Sequence, residues 1–136
     1  MPQISESAVC LRISGDDLLP EEISELLGYE PTVGYRKGDI RYIGPSKREK
    51  KERSGSWRLD VDRVRPGNLN DQINEIFSKL TSDISAWERI SKRYSVYLFC
   101  GLFMKEGNEG IEISASTLKL LGDRGVEMGL DIYDPS

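Results

Sequence analysis

Val9, Leu11 and Ile13 alternate with Ala8, Cys10 and Arg12, the period of two expected of a strand with one buried face. Next comes a helix signal. Pro20 suits the first helical position, Glu21 and Glu22 oppose the helix dipole, and Ile23, Leu26 and Leu27 form one apolar stripe. Leu18 and Ile23 have the spacing of a hydrophobic staple, and Gly28 suits a left-handed stop. Leu19, at the N-cap, offers no acceptor, so Asp17 or Asp16 is expected to take an orphan N–H. Pro31 keeps Glu30 extended and ends the helix.

Further along, residues 40–43 fit a short edge strand, while 45–54 has nothing apolar to bury and reads as a solvated loop or frayed helical turn. Strand periodicity returns at 56–61, with Trp57, Leu59 and Val61 inward and Arg58, Asp60 and Asp62 outward. Pro66 and Gly67 turn the chain. From the cap Asn68, Leu69, Ile73, Ile76, Phe77, Leu80, Ile84, Trp87 and Ile90 keep one helical phase. The polar 81–83 stretch implies two helices or one bent helix over the same sheet.

Residues 94–103 are apolar at both parities, as in a central strand buried on both faces or at its ends. A hairpin loop at 105–110, a strand at 110–113, a helix capped by Ser114 and stopped by Gly122, and a last strand carrying Val126, Met128, Leu130 and Ile132 complete the pattern. The strand-helix stretch ending Leu26-Leu27-Gly28 parallels the one ending Leu120-Leu121-Gly122; shared capping chemistry is the simpler account than an internal repeat. The elements together predict one α+β domain over 1–136, with a mixed, largely antiparallel sheet, helices packed on it and a charged insertion at 44–54.

Charge divides the chain unevenly. Residues 33–65 carry 11 Lys and Arg against 5 Asp and Glu, whereas the rest carries 8 against 18 within a net charge of -4. Such a dipolar molecule can steer an oppositely charged partner to one face. The candidate binding residues are therefore Tyr35, Arg36 and Lys37 of the 34–38 loop, whose glycines could cradle a phosphate, with Arg41, Lys47, Arg48, Lys50, Lys51 and Arg53 beyond it. Glu49 and Glu52 interrupt the cationic run, aromatic residues do not interleave it, and the chain is acidic overall, all of which disfavour nucleic acid.

The chain has no histidine, which removes histidine-based triads and metal sites, and two cysteines do not make a thiolate zinc site. No catalytic residue, metal or cofactor is predicted. The pairs Asp16-Asp17 and Glu21-Glu22 have helix-start explanations, and Asp60 and Asp62 alternate with Arg58 on an outward face. Cys10 and Cys100 sit in apolar segments as reduced core residues do. No apolar run approaches a membrane span, and residues 1–7 lack the basic and apolar regions of a secretory leader, so the cytoplasm is the expected compartment.

One set of short motifs carries a family resemblance. Gly15-Asp16-Asp17 ahead of Pro20-Glu21-Glu22-Ile23, then Leu27-Gly28-Tyr29-Glu30-Pro31-Thr32, Arg36-Lys37-Gly38-Asp39, Gly55-Ser56-Trp57 and a final Leu130-Asp131-Ile132-Tyr133 resemble the bacterial family known as domain of unknown function 4279. The resemblance implies a compact α+β domain of this length, with Pro20, Gly28, Pro31, Gly38, Trp57 and Tyr133 in structural roles, and no activity. In size and style such domains are similar to immunity proteins that neutralise a bacterial toxin. The sequence thus predicts a non-enzymatic binding module for a partner protein, an immunity-type protein being its specific form. The alternative is a small-ligand or phosphate site in the 34–38 loop.

Overall fold

The computed structural model describes residues 3–135. The expectation about residues 1–7 therefore lies partly outside the described residues. Among those described, the elements are β1 (Glu6–Gly15), α1 (Pro20–Leu27), β2 (Val33–Tyr35), β3 (Ile40–Ile43), β4 (Arg48–Lys51), β5 (Gly55–Asp60), α2 (Leu69–Ser78), α3 (Ile84–Arg93), β6 (Ser95–Phe103), α4 (Ala115–Asp123) and β7 (Glu127–Tyr133). Five strands form a sheet ordered β2-β5-β1-β6-β7, and β3 and β4 form a separate ribbon. The pairs around β1 and β5 are antiparallel, and β7 joins β6 in parallel after the α4 crossover.

Alternation assigns each side chain to a face of this sheet. Val9, Leu11 and Ile13 of β1 share one face with Trp57 and Leu59 of β5 and with Val96, Leu98, Cys100 and Leu102 of β6. All four helices send buried residues into the core on that face, among them Ile23 and Leu27, Ile73 and Ile76, Trp87 and Ile90, and Leu121. Both tryptophans are fully buried, as their apolar spacing predicts. The Trp57 Nε1–H donates to Ser24 Oγ at 3.0 Å, which ties β5 to α1. A buried polar knot fixes α2 to β1: the Gln72 amide donates to the carbonyls of Ser7 and Asp62 at 3.0 and 2.9 Å.

Several local expectations need correction. The 45–54 stretch is not a loop throughout, because Arg48–Lys51 pairs along β3 from Ile40↔Lys51 to Ile43↔Arg48. Main-chain pairing holds this strand, and pairing leaves no apolar period to read. Residues 110–113 form only a bridge between Gly110 and Gln3, so the crossover lacks the strand that would make it a repeat of the N-terminal unit. Gly122 is helical, and Gly125, with φ of 68°, takes the left-handed conformation beyond α4. In α1, Gly28 does adopt φ of 76°, but neither Asp16 nor Asp17 caps it. Asp17 instead accepts from Arg93 at 2.8 Å, and Asp16 lies 3.6 Å from Lys37.

The 81–83 break gives two helices, with Asp83 accepting from the Ser85 N–H at 3.0 Å. Ile84 is exposed at that start, off the apolar stripe. Leu130 and Ile132 also remain 45% and 60% exposed, since β7 is an edge strand and the helix layer leaves its outer half uncovered. No helix of the described residues is long and apolar enough to cross a membrane.

Both cysteines are free and buried. Cys100 faces the core opposite Val9, while Cys10 pairs with Phe99 on the other face, so a disulfide would have to pass through the sheet. Burial pushes the Cys100 thiol up to about 12 and raises that of Cys10 as well. Since the thiolate is the reactive form, native protein is expected to resist iodoacetamide at Cys100 and to react there only after unfolding. Mass spectrometry of native and urea-treated samples checks this, and rapid native labelling of Cys100 would contradict it.

Candidate functional site

With the helices gathered on one side, the second face of the five-stranded sheet is open. It carries Tyr35 of β2, Arg58 and Asp60 of β5, Cys10 and Arg12 of β1, Tyr97, Phe99 and Phe103 of β6, and Tyr133 of β7. The expectation that β6 is buried on both faces therefore fails in part. Its even positions are sealed in the core, whereas its odd-numbered aromatics are only half-buried. Arginines cover them: Arg12 lies 5.3 Å from the Phe99 ring centre and Arg63 lies 4.6 Å from that of Phe103, which stacks on Tyr133 at 4.7 Å. Gly129 leaves room for the Tyr97 hydroxyl, which occupies the place where a Cβ would stand.

The β3–β4 ribbon departs from one end of this face as an arm between β2 and β5. Its base is fixed. Gly38 N–H donates to Glu52 O and Glu52 N–H to Asp39 O, both at 2.8 Å. The Glu52 side chain, only 5% exposed, holds Arg41 at 3.4 Å and Lys50 at 3.5 Å, and Arg41 stacks 4.6 Å above Tyr35. Beyond the base both faces of the arm meet solvent. Arg41, Ile43, Arg48 and Lys50 share one face by register, and Ile40, Tyr42, Glu49 and Lys51 share the other. Lys47, with φ of 50°, sits in the tip turn, where its N–H donates to Gly44 O.

The predicted binding residues thus separate into two groups. Arg41, Lys47, Arg48, Lys50, Lys51 and Arg53 belong to the arm and its base, although Lys51 points away from the face that carries Arg41 and Lys50. Arg36 and Lys37 belong elsewhere, for Arg36 pairs with Glu21 and Lys37 with Asp16, clipping the loop to the start of α1. The 34–38 loop is also internally satisfied: the Arg36 N–H donates to the Asp39 carboxylate at 2.8 Å, so a side chain of the same turn stands where an anion would bind. Gly38 supplies the positive φ the turn needs, and Gly34 lies flat in β2 against Pro20.

Three carboxylates elsewhere are likewise engaged. Arg65 donates to Glu6 and lowers its pKa, with Arg63 adding to the effect; Arg93 does the same for Asp17. Glu21 is lowered by its own backbone N–H and then by Arg36. Among the described residues, no group of three or more metal-ligating side chains is assembled.

Sequence reasoning missed the open face itself, including Arg12, Ser14 and Ser56. The available signal was the parity of β6: Tyr97, Phe99 and Phe103 all occupy odd positions, and so fall together on whichever face the helices leave bare.

The geometry defines a class, an α+β domain with one helix-covered sheet face, one open face and a protruding cationic arm. Within that class the chain belongs to the family described as Domain of unknown function (DUF4279), whose model matches residues 3–135. Neither a curated protein nor a solved structure matches it.

Proposed function

We propose that this protein is a non-catalytic binding module whose β3–β4 arm docks on an acidic surface of a partner protein. The observation that carries the reading is the arm's composition. On one face of it Arg48 and Lys50 stand with Ile43, 38% exposed, and on the other Lys51 stands with Ile40 and Tyr42, 57% and 65% exposed. A two-stranded ribbon is marginal on its own, and apolar side chains left in solvent beside charge on both its faces mark an interaction surface. An immunity-type protein, neutralising a toxin, is the specific form of this reading. Its support is the size of the domain and the local excess of positive charge on an acidic chain.

A non-catalytic role is supported by Glu6, Asp17 and Glu21, which pair with arginines and whose pKa values are lowered where a general acid needs a raised one. Two free thiols on opposite sheet faces fit a reducing compartment, the cytoplasm.

The test is association with the product of the adjacent gene, followed by biolayer interferometry at low and high salt. Reversing Lys47 and Arg48 to glutamate is expected to slow association about tenfold at low salt, with the difference shrinking as salt screens the charges over about 8–10 Å. Thermal stability should move little, since exposed charges contribute within about half a kcal/mol. An association rate indifferent to both salt and reversal removes the arm from recognition.

A further inference from the structure

Arg12 breaks the charge balance of the open face. Its cross-strand neighbour on β5 is Arg58, and like charges directly opposite one another weaken a sheet pair. Asp60, 3.2 Å away, compensates Arg58. Among the described residues no carboxylate pairs with Arg12; its contacts are the Cys10 sulfur at 3.4 Å and the Phe99 ring, neither of which cancels a full charge.

The next row toward the arm consists of hydroxyls. Register sets Tyr35, Ser56, Ser14 and Ser95 side by side across β2, β5, β1 and β6 on this same face. Arg12, Ser14, Ser56 and Tyr35 line a cavity of about 590 Å³, which Lys51 and Arg53 close from the base of the arm. Glu52 also borders it, but its carboxylate is held by Arg41 and Lys50. The cavity therefore combines an uncompensated guanidinium, two further cations besides the Lys50 that Glu52 holds, and several hydroxyl donors, in a volume typical of small-molecule sites.

We propose that this cavity binds a small phosphate monoester. Arg12 and the hydroxyls of Ser14 and Ser56 receive the phosphate, and Lys51 and Arg53 add charge from the arm. A phosphate dianion supplies the negative charge that Arg12 lacks, and its oxygens accept from the hydroxyl row. The site shares Lys51 with the arm but is distinguished from its protein-docking role by Arg12, Ser14 and Ser56, which stand on the main sheet.

Isothermal titration of the full chain with ribose 5-phosphate and AMP, against ribose and adenosine, tests the assignment. Both phosphate esters are expected to bind saturably and both unphosphorylated compounds to fail. Arg12→Gln, an exposed change whose fold is checked by circular dichroism, should weaken binding about tenfold or more, the scale of one lost charge-assisted hydrogen bond. Arg12→Lys should retain part of it. Arg48→Glu at the far end of the arm should leave it unchanged, which separates this site from recognition of a partner protein. The proposal is overturned if neither ester binds at millimolar concentration, if binding survives Arg12→Gln, or if it is lost on Arg36→Gln instead, which would return the anion to the 34–38 loop.

Discussion

Replacing Trp57 by alanine is expected to destabilise the protein by about 3–5 kcal/mol, the cost of removing a large buried aromatic that its surroundings cannot refill. The indole is fully buried on the covered face of β5, packed in the same core as Ile13 and Ile23. Two costs combine there: the cavity, and the Ser24 hydroxyl left without the indole N–H it accepts from. Trp57→Phe keeps much of the volume and loses the hydrogen bond, so a smaller loss of roughly 1–2 kcal/mol is expected, while Ser24→Ala isolates the polar part at about 1 kcal/mol. Urea denaturation of the three variants with an unchanged m-value measures these differences. If Trp57→Ala matched the parent in stability, the indole would have to be a surface group and the covered face of β5 would be misassigned.

Trp57 also shows why much of the fold was legible in the sequence. Where one face of an element is buried and the other wet, burial imposes a period, and β1, α1, β5 and the α2–α3 pair all show theirs. The end signals of α1 read correctly at Pro20 and Gly28 because a fixed φ and a left-handed φ are local properties. Its cap did not, because Asp17 had a stronger partner in Arg93, 76 residues away. Strand β4 was hidden for a different reason: an arm solvated on both faces leaves no burial pattern, and its only signal is main-chain pairing with β3.

The candidate sites follow the same division. The cations of the arm were visible as a run of charge, but the sequence could not show that Arg36 is taken by Glu21 of α1 and Lys37 by Asp16 in the turn before it. Nor could it bring Arg12 and Ser14 up to Ser56 and Arg53 across the whole length of the arm, because that neighbourhood is set by the β1–β5 register. The apolar residues at both parities of β6 concealed the open face as well. Phe99 and Phe103 lie on that face under arginines, and an aromatic half-covered in this way cannot be told in sequence from one in the core.

The second large effect is expected at Gly55, where alanine should cost about 2–3 kcal/mol by overpacking. A Cβ there would stand 2.6 Å from the Leu18 carbonyl oxygen and 2.9 Å from that of Gly15. Both obstacles are backbone, in the turn between β1 and α1 where Leu18 N–H donates to Gly15 O, so no side-chain rotation relieves the clash. Leu18 is itself buried and precedes the first turn of α1, so moving it also disturbs the packing of Ile23. Gly122 provides the opposite sign. It is helical, with open space where a Cβ would go, so Gly122→Ala should be neutral or stabilise by up to about 0.5 kcal/mol. At Gly28, with φ of 76°, the same change should instead cost about 1 kcal/mol through left-handed strain. Urea midpoints of the three alanine variants are therefore expected in the order Gly122, Gly28, Gly55 from most to least stable. A destabilised Gly122→Ala would mean that α4 stops there, and a Gly55→Ala as stable as the parent would mean that the β1–α1 turn does not press on β5.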